Sequence, residues 1–260
     1  MAGKHRFATE EIEKFSTVDL VAELKRRYQV LSRPERSCIL LGAPWSGVST
    51  QVSFLRKEWG TCSIKRDDIL NSAQTDLHEA VKKLSEEIGS FRCRRGFVLQ
   101  NFPESEEEAQ AFDGMIKEKH ANRADYKVIV LGMPHGDEQD TEASITELSK
   151  RATGHMIHQQ SGRVYNSHVA ELSPQTPNVD DVTGESLVCP RFDIAGLAIQ
   201  ARSWWSEKET SLRAFYHYRM QLVDAKKSCD QVSMDISRIL LEPKHLEIPS
   251  SPEKTATQEQ

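Results

Sequence analysis

Between Cys38 and Gln51 the chain reads CILLGAPWSGVSTQ, and no other segment constrains the fold as tightly. Cys38 to Leu41 is a short apolar run of the kind that makes a buried strand. Gly42-Ala43-Pro44-Trp45-Ser46-Gly47-Val48-Ser49-Thr50 is a loop of mostly small residues, and Gln51, Val52, Phe54 and Leu55 follow at helical spacing. Strand, small-residue loop and helix in this order outline a phosphate-binding loop, in which successive backbone N–H groups wrap an anion at the helix N-terminus. A working loop of this type also carries a lysine for the terminal phosphates and a hydroxyl for the metal ion. Gly42, Gly47 and Thr50 fit that scheme. Trp45 stands where a glycine would allow a tight turn, and Val48 stands where the lysine belongs. The tryptophan ring is expected to fill the phosphate cavity; a loop still holding phosphate through its N–H groups is the alternative.

The 260 residues suffice for one α/β core with an inserted subdomain, or two small domains at most. A net charge of −5 gives no pull toward nucleic acid or an anionic membrane. No apolar run approaches the roughly 20 residues that span a bilayer, and MAGKHRFATEE has no signal-peptide core. Cys38, Cys62, Cys93, Cys189 and Cys229 are odd in number, scattered and without a Cys-x-x-Cys pair. Reduced thiols in a cytoplasmic protein are expected, with neither disulfide nor zinc site.

Residues 8–31 read as a leading helix with Ser16 or Thr17 as a cap, broken by Ser32-Arg33-Pro34-Glu35. Strands are expected at Cys38–Leu41, Thr61–Ile64, Gly96–Leu99, Tyr126–Leu131 and Gln221–Val223. Helices are expected from the loop to Trp59, over Leu70–Ile88, from Ser105 to Glu118, up to Thr153, over Ala195–His217 and over Cys229–Leu241. PHGDEQDTEAS, residues 134–144, reads as an acidic loop. The polar segment 156–190 reads as a small β-rich flap. Strands apolar throughout, alternating with helices, predict a parallel sheet covered on both faces.

With the loop placed, other segments carry a resemblance. KRDDIL (65–70) stands against TGDLLR, GFVLQNFPE (96–104) against GFxLDGxPR, RATGHMIHQQSGRVY (151–165) against RxxGRxxHxxSGRxY, and DDVTGESL (180–187) against DDVTGEPL. These motifs, with GAPWSGVSTQ against GxPGxGKGTQ, are similar to those of the adenylate kinase family, particularly its longer eukaryotic forms in apicomplexan protists. The resemblance covers roughly residues 15–241. It implies a P-loop nucleoside monophosphate kinase fold: a parallel sheet flanked by helices, a β-rich lid at 156–190, and an AMP-binding region at 68–95 about twenty residues shorter than usual. Residues 1–36 would be an N-terminal helical extension, 37–155 and 191–241 the core, and 242–260 a polar, disordered tail.

The implied reaction is ATP plus AMP to two ADP with magnesium, chemistry that rests on positioning and on cations around a charged transition state. Gly42, Ala43, Pro44, Ser46, Gly47, Ser49, Thr50, Arg151, Arg191 and Arg202 occupy nucleotide-binding positions. The catalytic positions are poorly filled: the loop lysine is Val48, the magnesium-organising carboxylate is Gln100, an AMP-phosphate arginine is Glu104, and a lid arginine is His155. Asn71 replaces a further arginine and Glu108 an adenine-reading glutamine. Two more arginines fall on Pro190 and Ala201, one residue from Arg191 and Arg202. Lys65 and Arg66 are expected as solvated surface charges, and Trp204, Trp205, Phe215 and Tyr216 as core. His158, Ser161, Asp180 and Thr183 match the lid positions that hold metal in some relatives, and here they are expected to form a hydrogen-bonded cluster instead.

The expectation is therefore a family member with impaired or absent phosphoryl transfer, retaining ATP or ADP on one side, with Mg-ATP as its only implied cofactor. An active nucleoside monophosphate kinase with relocated cations is one alternative. A scaffold that binds a protein partner, through the acidic loop or the N-terminal helix, is the other. A monomer is expected.

Overall fold

Runs such as CILL, FVLQ and KVIVLG offer no polar face to water, so their strands lie parallel between two layers of helices. A computed structural model describes residues 16–70 and 76–242. Its strands are β1 (Cys38–Gly42), β2 (Cys62–Lys65), β3 (Phe97–Gln100), β4 (Lys127–Gly132), β5 (His155–Ile157), β6 (Val164–Asn166) and β7 (Met220–Asp224). Five of them form one sheet in the order β2-β3-β1-β4-β7, and every pairing in it is parallel. Leu40 is level with both Gln100 and Ile129, and Gly132 with Asp224, so the loops after β1, β3, β4 and β7 share one edge. β5 and β6 pair antiparallel in a separate small sheet within the insert.

The helices are α1 (Thr17–Ser32), α2 (Val48–Trp59), the single turn α3 (Arg66–Ile69), α4 (Leu77–Gly89), α5 (Glu106–Lys119), α6 (Glu138–Thr153), α7 (Ile194–Ser203), α8 (Thr210–Tyr216) and α9 (Cys229–Leu241). A π-helical stretch, Trp204–Glu209, joins α7 to α8. Side-chain caps fix several starts: Ser16 accepts from the Asp19 N–H, Ser105 from Glu108, Asp137 from Asp140, and Ser228 forms a capping box with Gln231. The core runs through both sheet faces. On one of them Phe112 lies edge-on to Phe97, Phe102 and Tyr126. Gly96 has φ +99° and lies so close to the Arg36 carbonyl that a methyl group would come within 1.9 Å of its oxygen.

The structure corrects three expectations. Residues 134–144 are not all loop: Asp137 caps α6, whose first turn carries Glu138 and Asp140, where the helix dipole favours negative charge. The helix expected over Leu70–Ile88 is divided between α3 and α4, with 71–75 outside the described residues. Cys62 and Cys93 are not free thiols but a disulfide, with Cα atoms 4.9 Å apart. Parallel pairing of β2 with β3 brings them together, because the Cys62 N–H bonds the Gly96 carbonyl just beyond Cys93. Cys38, Cys189 and Cys229 stay free, and burial pushes the Cys38 thiol up to about 12. The early part of the leading helix (8–15) and most of the tail (243–260) also lie outside the described residues. No helix among the described residues is long and apolar enough to cross a membrane.

Candidate functional site

Gly42 ends β1 and Val48 begins α2, so the loop between them meets the free N–H groups of the first turn of α2. Gly47 makes the entry at φ +106°. The loop's concave side is occupied by its own atoms. The Ser46 hydroxyl folds toward Gly42, where an added methyl group would meet its oxygen at 2.3 Å, and it is buried with no hydrogen-bond partner among the described residues. The Ser46 N–H bonds the carbonyl of buried Ala43, and Pro44 is half-buried. Val48 is only 5% exposed and packs into the core, so the side chain at the lysine position points inward.

Trp45 adopts φ +68°, a backbone region that costs a residue with a Cβ on the order of 1–2 kcal/mol. Packing offsets that cost. Its ring stands edge-on to Phe192 at 4.7 Å and to His155 at 5.1 Å between centroids. The loop is thereby joined to β5 at one end of the insert and to the segment following its other end. Burial lowers the pKa of His155 and keeps it neutral. Phe192 has no counterpart among the candidate residues, since a single aromatic beside Arg191 gives no sequence signal.

Gln100 ends β3, and its side-chain amide donates to the Ser49 hydroxyl at 2.8 Å. Thr50 is half-buried one residue further on. Loop hydroxyls and an amide are the groups offered to a metal ion here, without the carboxylate that the resemblance implies. Among the described residues, no group of three or more His, Cys, Asp or Glu is placed to hold a metal ion. The residues present therefore do not fit a protein-organised magnesium.

Most of the remaining cations are spoken for by internal anions and carbonyls. Arg66 bonds Glu108 at 2.6 Å and lies 3.4 Å from Glu104, whose other neighbour is Lys208 at 2.8 Å. Glu108 also accepts the Glu104 N–H at 2.7 Å. Arg66 is therefore not a solvated charge as expected, although Lys65 is exposed. Lys208 was missed because a lysine in a charged helical run looks like ordinary surface. Arg151 binds Glu147 and the carbonyls of Ser46 and Ala225. Arg202 pairs with Glu138 and Glu142 of α6, so the acidic segment directly meets an arginine that the resemblance implies for the nucleotide. Arg191 is exposed and, among the described residues, forms no ion pair. Asn71 lies outside the described residues.

In the insert, His158 pairs through Nδ1 with Ser161 at 2.7 Å and through Nε2 with Glu185 at 2.6 Å. Asp180 is buried and accepts from both arms of Arg163, from Tyr165 and from Thr183. The Arg163 guanidinium, seconded by the Thr183 donors, holds its carboxyl well below the usual carboxylate range. His158, Ser161, Asp180 and Thr183 are thus brought together, with Glu185 as an unforeseen member. A cleft of about 240 Å³ between β2 and α4, lined by Asp68, Lys83, Glu87 and Arg92, lies apart from the loop and is below the usual ligand-pocket size of roughly 300 Å³.

No family model matches the chain. It is 31% identical over 255 residues to "Adenylate kinase 4" of Oryza sativa subsp. japonica, covering 90% of this chain and 99% of that one. It is 28% identical over 254 residues to "Adenylate kinase 4" of Arabidopsis thaliana, covering 90% and 98%. A bacterial "Adenylate kinase", from Photorhabdus laumondii, is 30% identical over 228 residues, covering 78% of this chain and 98% of its own.

Proposed function

The chain belongs to the adenylate kinase family, and from that premise we propose that it is a member that has given up phosphoryl transfer and keeps a one-sided site for ATP or ADP. The observation that carries this reading is Val48, buried in the core where the loop needs a lysine. Phosphoryl transfer between nucleotides demands cations that converge on the three oxygens of the moving group. Val48 and Gln100 supply none, Glu104 supplies the opposite charge, and Arg66, Arg202 and Lys208 are each held by glutamates. Loss of one such cation typically costs several powers of ten in rate, and here several are missing together.

What remains favours the ATP side. The first-turn amides of α2, Ser49, Thr50 and Arg151 stay on the loop, and the insert that serves as lid stays joined to it through His155. A nucleotide phosphate entering there displaces the Trp45 ring from Phe192 and His155. Any magnesium would be carried by the nucleotide's own phosphates.

The test is a thermal-shift titration with ATP, ADP, AMP and a bisubstrate dinucleotide, beside an assay of ADP formation. The unmodified protein is expected to respond to ATP or ADP alone and to form no ADP from ATP plus AMP. Trp45→Gly with Val48→Lys is expected to strengthen ATP binding toward the ~2.7 kcal/mol stabilisation that a hundredfold excess over Kd produces. Turnover should stay absent, because Gln100 and Glu104 remain. AMP-dependent ADP formation by the unmodified chain, abolished by Thr50→Ala, would overturn the reading.

A further inference from the structure

Helix α1 is docked the wrong way round for an ordinary surface helix. Its half-buried positions are Glu23, Arg26 and Val30, with Arg33 beyond its end. Arg26 and Arg33 bond the Lys57 and Glu58 carbonyls at the end of α2, while Val30 packs over Gly60. None of its residues is fully buried. At 100° per residue the opposite side carries Leu20, Val21, Leu24, Tyr28 and Leu31, which are 40–73% exposed. An amphipathic helix normally turns its apolar stripe to the core. This one turns it to the outside.

The stripe has a register of its own. Val21, Leu24, Tyr28 and Leu31 are spaced three, four and three residues apart, which is the a/d seam of a coiled coil over two turns of the repeat. A β-branched residue at an a position with leucines at d favours two parallel strands. We propose that α1 pairs in parallel with α1 of a second copy of this chain, forming a two-fold dimer in place of the monomer expected from the sequence.

Charge at the edge of the seam favours the parallel direction. Exposed Lys25 flanks the stripe on one side; on the other, exposed Arg27 is paired with Glu23 of its own helix at 2.8 Å. In a parallel pair Lys25 faces the second copy's Leu20, and Arg27 its Ser32. In an antiparallel pair Lys25 would face its own like-charged counterpart, which is unfavourable. The docked and free faces of α1 lie on opposite sides of the helix, so the two folded bodies point away from each other. Five large side chains at roughly 100 Å² each give about 1,000 Å² over the two copies, the lower bound for a specific interface. Two heptads are too short to pair as free peptides, but α1 is already folded against α2, so association does not have to nucleate it.

The experiment is light scattering on the full chain up to the high micromolar range, alongside Leu24→Glu and Tyr28→Glu. Both side chains are exposed, so neither change disturbs the core. Twice the chain mass is expected for the unmodified protein, falling to one chain mass in each variant. In a Cys189→Ser background, Val21→Cys is expected to cross-link to itself under mild oxidation, because like a positions meet in a parallel pair. A protein that is a monomer throughout, a dimer unaffected by Leu24→Glu, or the absence of the cross-link overturns the proposal. So does a monomer that floats with anionic vesicles through the same leucine, since the stripe would then serve a membrane surface.

Discussion

Trp45 is held in left-handed backbone by what its ring touches, so its fate and that of His155 are linked. Burial keeps the imidazole neutral in the folded protein, with a pKa below the ordinary 6.5. As pH falls from 6.5 toward that lowered value, the unfolded chain takes up a proton that the folded one refuses, and stability declines. We expect the Trp45–His155–Phe192 contact to loosen over that window, read by NMR of the His155 ring, and His155→Leu to abolish the dependence. Asp180 acts with the same sign in a lower window, since its folded-state pKa is also depressed. Its carboxyl is depressed by Arg163, so its contribution is present at neutral pH and is lost only well below the usual carboxylate range. Between those limits the insert should keep its own hydrogen-bonded cluster while its contact with the loop has already weakened. Glu104 gives a third expectation at this scale. Its partners are each about a third exposed or less, so Glu104→Gln should cost about 1 kcal/mol in urea unfolding without creating AMP affinity.

Arginines at helix ends do much of the fastening between elements. Arg26 and Arg33 take carbonyls at the end of α2, Arg36 the Leu240 carbonyl of α9, Arg123 the Ile88 carbonyl of α4, and Arg95 those of Val30 in the last turn of α1 and of Arg33 just after it. Cations suit these sites because the last carbonyls of a helix have no internal partner and lie at the negative end of its dipole. Arg95→Ala removes two charged hydrogen bonds, and amide exchange in α1 should rise roughly ten- to hundredfold with the sheet unchanged. These contacts show what the sequence could and could not reveal. The strands and α9 were legible because an apolar run or a 3.6-residue period is a local pattern, and α9 has the expected bounds, Cys229–Leu241. The loop was legible because strand, small residues and helix are consecutive. Phe192, Lys208 and Glu185 were not, because each acquires its partner only when distant segments meet. The acidic segment misled because composition favoured a loop, whereas Asp137 caps a helix there.

For the molecule as a whole, the Cys62–Cys93 disulfide ties β2 to the turn before β3 across 31 residues. Closing a loop of that length stabilises by roughly 3–4 kcal/mol through the unfolded chain, and reduction should lower the guanidinium midpoint accordingly. That bond also removes the cysteine argument for a reducing compartment. Arg66, Glu104, Glu108 and Lys208 link α3, α5 and the π-helical stretch into one neutral group of two cations and two carboxylates. Such a group makes its four members depend on one another. Putting arginine at 104 would set three cations around Glu108, so that single change would destabilise the elements the group holds together. A change of sign at any one of the four positions therefore asks for a matching change at another, so the quartet works as a lock that no single substitution opens.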